Sequence, residues 1–315
     1  MKKVTVSAPG KLHISGEHAV VYGKPTLIVA TSLRLYVTLE KGATPRLSEV
    51  RKKDTYLDAI CSVFEKKHNV TIDADIGIAI ASTVPVRSGM GSSAALAVAL
   101  IGALSAWQGL PWNAQAINES AYQAEKAKHE NSSGSDPAVA THGGLLWYRK
   151  ELEFLKTLWL LPFKIPKTFA PFVLINTGRI ESTGDLVRHV AEVKDKDGGY
   201  FTNLLHDVET VTKEVACAIH DEDEQVFRDA LTKNEMLLEK MEIVSPDAKT
   251  LIRNIEKSGG AAKISGAGGI KGGSGIILAV HDGPGSLVRM AKKYNYPSFQ
   301  VTLGGAGVKL EQVLV

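Results

Sequence analysis

Six of the ten residues from 266 to 275 are glycine, and residues with strand character stand on both sides of them. Ordering that many glycines loses more backbone entropy than any other composition would. Such a run persists in a folded chain where something packs or binds closely against it. The alternating or apolar flanks at 261–264 and 275–280 make this a loop between two strands rather than a slack linker. A loop that hugs a ligand is the reading this favours.

Two further segments combine glycine with polar groups. Residues 85–95, PVRSGMGSSAA, place glycines just before an apolar helical pattern that runs from 92 to 107. A helix start offers unpaired N–H groups and the positive end of its dipole, and Ser92 or Ser93 can add a hydroxyl. That suits a phosphate, although a serine N-cap after a glycine turn would look the same. Residues 8–23, APGKLHISGEHAVVYG, hold Lys11, Glu17 and His18 between glycines and apolar residues. Burying such groups requires partners, so the segment is either a polar pocket or a surface turn with incidental charges. The chain has no GxxxxGK[ST] string, and Lys271 stands where GxGxxG would need its last glycine. Walker-type and dinucleotide-binding units are therefore disfavoured.

Around these segments the two periodicities mix. Residues 3–7, 26–30, 33–40, 71–82, 143–148, 172–176 and 298–303 read as strands, beside those flanking the glycine run. Residues 54–67, 92–107, 112–129 and 286–293 read as helices. So does most of 183–256, with a break at Ser245-Pro246. Strands and helices in this order predict an α+β fold. A helical stretch separates two strand-bearing portions, which suggests domains of 1–170 and 171–315 with a boundary near 165–180.

The formal charge of +3 over 315 residues suits a protein handling small anions and argues against nucleic acid. The two cysteines, Cys61 and Cys217, form no CxxC pair, which fits a reducing compartment with both thiols buried and unbridged. The apolar stretch 94–107 is too short to span a bilayer, and the first ten residues lack the core of a signal peptide. A cytoplasmic protein without membrane contact is expected.

In order and spacing the three glycine-bearing segments resemble the three motifs of the GHMP kinases. GEHAVVYG at 16–23 is similar to the branch of that family that phosphorylates mevalonate. The resemblance implies a two-domain GHMP kinase fold with the active site in the interdomain cleft, ATP and Mg²⁺, a small-molecule alcohol as acceptor, and in some members a homodimer. By position it makes Asp136 and Lys11 catalytic. Pro85, Ser88, Gly89, Met90, Gly91, Ser92, Ser93 and Ala94, with Gly266, Ala267 and Gly268, would hold the nucleotide. Ser93 and Glu125 would hold the metal, and Glu17, His18 and Thr183 the substrate.

Local readings compete with several of these roles. Glu125 has the spacing of an exposed carboxylate paired with Lys128, and Asp136 before Pro137 has that of a helix N-cap. The sequence also departs from the family pattern. Arg87 replaces a glycine, Met90 a leucine, and Ile270-Lys271 interrupts the last glycine run. Lys271 could reach a phosphate, or bulge into solvent with its loop. A phosphomevalonate or sugar kinase, and an inactive nucleotide-binding relative, remain open alternatives. Lys11, Glu125 and Asp136 together speak against the last.

Overall fold

The computed structural model describes residues 2–85, 88–128, 133–152 and 154–314. Two antiparallel sheets carry the fold. The first is built on β1 (Lys3–Ser15) and β2 (Thr26–Lys41), joined by a 3₁₀ turn at Ala19–Tyr22. After α1 (Leu47–Val50) and α2 (Thr55–His68) comes β3 (Ile76–Ser82), which pairs with the second half of β2. Next come α3 (Ser92–Trp107), α4 (Ala114–Lys128), α5 (Ser135–His142), β4 (Leu145–Lys150) and β5 (Lys156–Leu160). β4 pairs with the first half of β2, and β5 forms one edge of the sheet.

The second sheet starts at β6 (Phe172–Asn176). Four helices follow: α6 (Thr183–Lys196), α7 (Gly198–His220), α8 (Glu224–Lys240) and α9 (Pro246–Lys257). Then come β7 (Ala261–Ser265), β8 (Ile276–Val280), α10 (Pro284–Lys293) and β9 (Ser298–Val301), giving the order β7-β8-β6-β9. The last strand, β10 (Lys309–Leu314), returns to the first sheet and pairs with residues 3–7 of β1.

The α+β expectation holds, and several boundaries coincide with the sequence pattern. α3 begins and ends where expected; it is a helix buried on nearly all sides, with Ala, Leu and Val all round. Ser245 caps α9 with Pro246 in the first turn, which explains the break seen in the helical stretch.

Other readings change. The strand of 3–7 runs on to Ser15, and 26–30 and 33–40 are one strand. β1 and β2 stay paired through register shifts at Pro9/Lys11 and His13/Ser15, which interrupt the alternation without breaking the ladder. β3 starts at Ile76 rather than 71, and β5 and β10 are additional. Cys61 is buried, its thiol pushed up to about 12 by burial, but Cys217 is exposed.

One core lies between the first sheet and α2–α4, around Val6, Val37, Ile60, Phe64, Val98 and Leu104. A larger one surrounds the second sheet and α7–α9. It reaches across to Leu12, Ile14, Val84 and Met90, so the two sheets share apolar packing where the first two motifs lie.

Candidate active site

The site forms where β1, the start of α3 and the start of α5 converge. The first motif is not a surface turn: residues 8–15 lie in β1, and Lys11, Glu17 and His18 are all buried. Lys11 N–H donates to the Met90 carbonyl at 2.9 Å, and this places the lysine side chain against the glycine turn before α3. Gly91 occupies the N-cap with φ +68°. A Cβ there would lie 2.9 Å from Lys11 Cγ and 3.4 Å from Asp136 Oδ2. Glycine is thus required both for the left-handed turn and for the approach of the two side chains behind it.

Lys11 Nζ stands 3.2 Å from Asp136 Oδ1, with the lysine side chain 7% and the aspartate 28% exposed. A nearly buried ammonium thus steadies a carboxylate that still reaches solvent. Gly134 (φ +88°) caps α5, so Asp136 sits inside the first turn rather than at the N-cap. The capping role expected from Asp-Pro is therefore absent, and the carboxylate is left to Lys11 and to the Ser135 hydroxyl at 3.4 Å.

Ser92 is the first residue of α3, so the N-cap is Gly91 and not a serine. One residue on, Ser93 Oγ donates to Glu125 Oε1 at 3.3 Å. Glu125 is 5% exposed, which overturns its reading as a solvent-facing partner of Lys128; the Lys128 side chain lies outside what is described. The Tyr56 hydroxyl on α2 donates to the Ser93 carbonyl at 3.2 Å and braces this corner. Burial, with Glu125 and Asp136 nearby, raises the Tyr56 phenol above its ordinary value. No pattern in the sequence singled Tyr56 out. Ser93 and Glu125 offer a hydroxyl and a carboxylate at a helix start, a donor set of hard oxygens that fits Mg²⁺ shared with phosphates. Among the described residues no cluster of three His, Cys, Asp or Glu forms a self-sufficient metal cage.

The other expected nucleotide contacts fall into two kinds. Met90 and Ala94 send their side chains into the core, so only their backbone faces the turn. The Ser88 hydroxyl donates to the Pro85 carbonyl at 2.8 Å and tightens the loop. Arg87 lies outside the described residues. The third motif closes over this loop: a Cβ on Gly266 would lie 3.5 Å from the Gly89 carbonyl oxygen, and one on Gly275 3.3 Å from that of Ser88. The run of glycines is therefore a packed lid, not a linker. It is also laced to the segment after β6. Gly275 N–H donates to the Gly178 carbonyl at 2.7 Å and Lys271 N–H to Glu181 Oε1 at 2.9 Å. The Lys271 side chain is exposed.

Of the three expected substrate contacts, His18 (φ 54°) holds the Ala267 carbonyl through Nε2 at 3.0 Å. Burial depresses its ring below the ordinary histidine value, so it is neutral at pH 7. Glu17 is 1% exposed and pairs with the fully buried Lys263 of β7. Thr183 is the exposed first residue of α6, after a capping box made by Ser182 and Asp185. No hydrogen bond joins Thr183 to Asp136 among the described residues.

The model of the GHMP kinases N terminal domain matches residues 55–144, the stretch holding the phosphate loop, Glu125 and Asp136. The mevalonate kinase of Archaeoglobus fulgidus is 31% identical over 84% of this chain and 88% of its own length. The chain belongs to the GHMP kinase family. The mevalonate kinase of Pyrococcus furiosus is likewise 31% identical, over 99% of both chains. The crystal structure of L. major mevalonate kinase in complex with R-mevalonate superposes with a TM-score of 0.79, at 23% identity over 96% of each chain. That of Methanococcus jannaschii mevalonate kinase gives 0.81 at 21% identity, over 96% of this chain and 98% of that one. At such identities these two likenesses speak for the GHMP kinase fold. The three motifs of this GHMP kinase, read as separate strings in the sequence, touch one another in it. Lys263 is a functional candidate that the sequence pattern did not single out; a lysine inside the strand-like flank 261–264 was the signal that could have found it.

Proposed function

We propose that this GHMP kinase transfers the terminal phosphoryl group of ATP to the 5-hydroxyl of mevalonate. The observation that carries the reading is the Lys11–Asp136 pair, held 3.2 Å apart behind Gly91 at the start of α3. Identity of 31% with mevalonate kinases, over 84% and 99% of this chain, supports the choice of acceptor. The N-terminal portion, residues 1–170, supplies the phosphate loop and the acid–base pair. The portion 171–315 supplies the glycine lid. Among the described residues no helix is long and apolar enough to cross a membrane, and we place the enzyme in the cytoplasm.

The residues divide the work. The amides of the Gly89–Gly91 turn and the α3 start bind phosphate oxygens, and the dipole of a 16-residue helix favours the negative charge there. Ser93 and Glu125 would hold Mg²⁺, which when bound neutralises charge on the phosphates. Asp136 orients the acceptor hydroxyl and takes its proton late. An alcohol is a far weaker acid than a carboxylic acid, so it is not deprotonated beforehand. Lys11 stabilises negative charge developing on the attacking oxygen. The lid of residues 266–275 excludes water, so the phosphoryl group is delivered to the alcohol rather than hydrolysed.

Asp136→Asn tests this, because it keeps the shape of the side chain and removes the charge. With mevalonate, phosphomevalonate and galactose compared side by side, mevalonate is the acceptor that turns over. The variant loses about two to four orders of magnitude in kcat at near-constant ATP affinity. Wild-type turnover by the variant would remove Asp136 from the mechanism, and preferred turnover of another acceptor would overturn the substrate.

A further inference from the structure

The contact between the first and third motifs is made by a buried charge that reaches neither cleft nor solvent. Lys263, the middle residue of β7, is 0% exposed. Its ammonium contacts Glu17 Oε1 and donates to the Ile264 carbonyl at 2.6 Å and the His13 carbonyl at 3.5 Å. The Ser265 hydroxyl adds a two-way link to the same strand. It accepts from His13 N–H at 3.0 Å and stands 3.0 Å from the His13 carbonyl. Between Lys263 and Ser265, Ile264 N–H donates to Glu235 Oε2 at 2.8 Å, which anchors β7 to α8 from behind. At the open end, His18 holds Ala267.

Apart from the Ile264 carbonyl and the Glu235 anchor, these contacts lie between residues 13–18 and residues 263–267. They decide where Gly266 stands against Gly89, two residues before the Gly91 that lies against the Lys11–Asp136 pair. An apolar side chain at 263 would fill the space but would leave the end of β1 free to slide. An ammonium that holds one oxygen of a carboxylate and two carbonyls at once favours one register, although Glu17 Oε2 has no hydrogen-bond partner of its own among the described residues.

We infer that Lys263 is a positioning residue for phosphoryl transfer, setting the glycine lid over the reacting groups through its buried pair with Glu17. Glu17 then acts on the reaction through Lys263 and not by touching substrate. The inference rests on the phosphotransfer reading given above. A displacement of about 1 Å in such a site costs on the order of a hundredfold in rate, so a modest slip of the lid is visible in kcat.

The test is a double-mutant cycle with Glu17→Gln, Lys263→Met and the pair together, measured with ATP and mevalonate beside thermal unfolding. Each single variant is expected to lose about 10- to 100-fold in kcat with the mevalonate KM changed less than about threefold. The double variant should match the worse single within about threefold, because both substitutions break one device. Losses that multiply, or a mevalonate KM raised tenfold or more by Glu17→Gln alone, would make Glu17 a substrate contact and overturn the inference. If Lys263→Met does not fold, Lys263→Arg replaces it in the cycle under the same criterion. Absence of wild-type turnover with mevalonate would instead count against the phosphotransfer reading. Hydrogen exchange then decides the inference, since Glu17→Gln must speed exchange at 264–268, and unchanged exchange there overturns it.

Discussion

Glu235 on α8 carries a carboxyl with no exposed surface. Oε2 accepts the Ile264 amide at 2.8 Å and Oε1 has no hydrogen-bond partner. Burial pushes it from an ordinary 4.5 up to about 8, against the pull of the Ile264 N–H and Lys263. In the unfolded chain the group ionises near 4.5; in the folded protein it keeps its proton to about 8. The folded state therefore binds more protons between these values, and stability falls as pH rises through the window. At pH 7 the penalty is about 3 kcal/mol, and above pH 8 it levels off near 5 kcal/mol. Glu235→Gln keeps the acceptor for Ile264 and the shape of the protonated acid but has nothing to ionise. Urea unfolding of both proteins from pH 5 to pH 9 should show nearly equal stability at the acid end. Toward pH 7 the variant should gain until it leads by about 2–3 kcal/mol. A gap that stays constant across this range, or a variant less stable at pH 7, would refute the account of Glu235 as a neutral buried acid.

Three other substitutions probe the site. Glu125→Gln should raise the Mg²⁺ concentration for half-maximal velocity about tenfold or more at unchanged mevalonate KM, because a hard cation prefers a charged oxygen. An unaltered metal requirement would put the ion elsewhere. Gly91→Ala places a Cβ 2.9 Å from Lys11 Cγ on a backbone at φ +68°. It should cost about 1–2 kcal/mol of stability and at least about tenfold in kcat, read by thermal unfolding and steady-state turnover. Wild-type kcat would show that the turn tolerates what the geometry forbids. Lys271→Ala should leave the nucleotide Kd unchanged at low salt, since the loop is fixed by the Lys271 backbone N–H and not by its ammonium. A loss of about 1 kcal/mol that shrinks with salt would return Lys271 to the phosphates.

What the sequence revealed follows from the range of the forces involved. α3 was legible to the residue, because an unbroken apolar stretch after a glycine turn has one local solution. The break at Ser245-Pro246 was legible for the same reason. Glu125 was not. On α4 it stands in a run of charged residues, and only the packing of α2 and α3 turns that face inward. The length of β1 was hidden by Pro9 and Gly10, which break the alternation while the ladder to β2 continues past them. No spacing rule brings Lys11 to Asp136. That contact came from the family resemblance, and the structure supplies its local cause in the missing Cβ of Gly91. The buried Glu17–Lys263 pair was not legible either, because Glu17 lies in the turn after β1 and its partner in β7, 246 residues further along the chain.

The return of β10 to the first sheet matters most while the chain is being made. Lys3 pairs with Leu314 and Ser7 with Lys309, so β1 emerges from the ribosome long before the strand that becomes its outer neighbour. At about 5–20 residues per second, that edge waits on the order of 15–60 s with its amides and carbonyls unclaimed. An open strand edge of this kind invites pairing with another nascent chain. The closure that ends the wait is thorough. The Arg34 guanidinium holds the Ala306 and Gly307 carbonyls at 2.8 and 2.7 Å, and Val308 N–H donates to the Thr141 carbonyl at 3.0 Å. Loss of residues 309–314 would therefore be felt at β1, as a sheet that can be nucleated early but sealed only once β10 has been made.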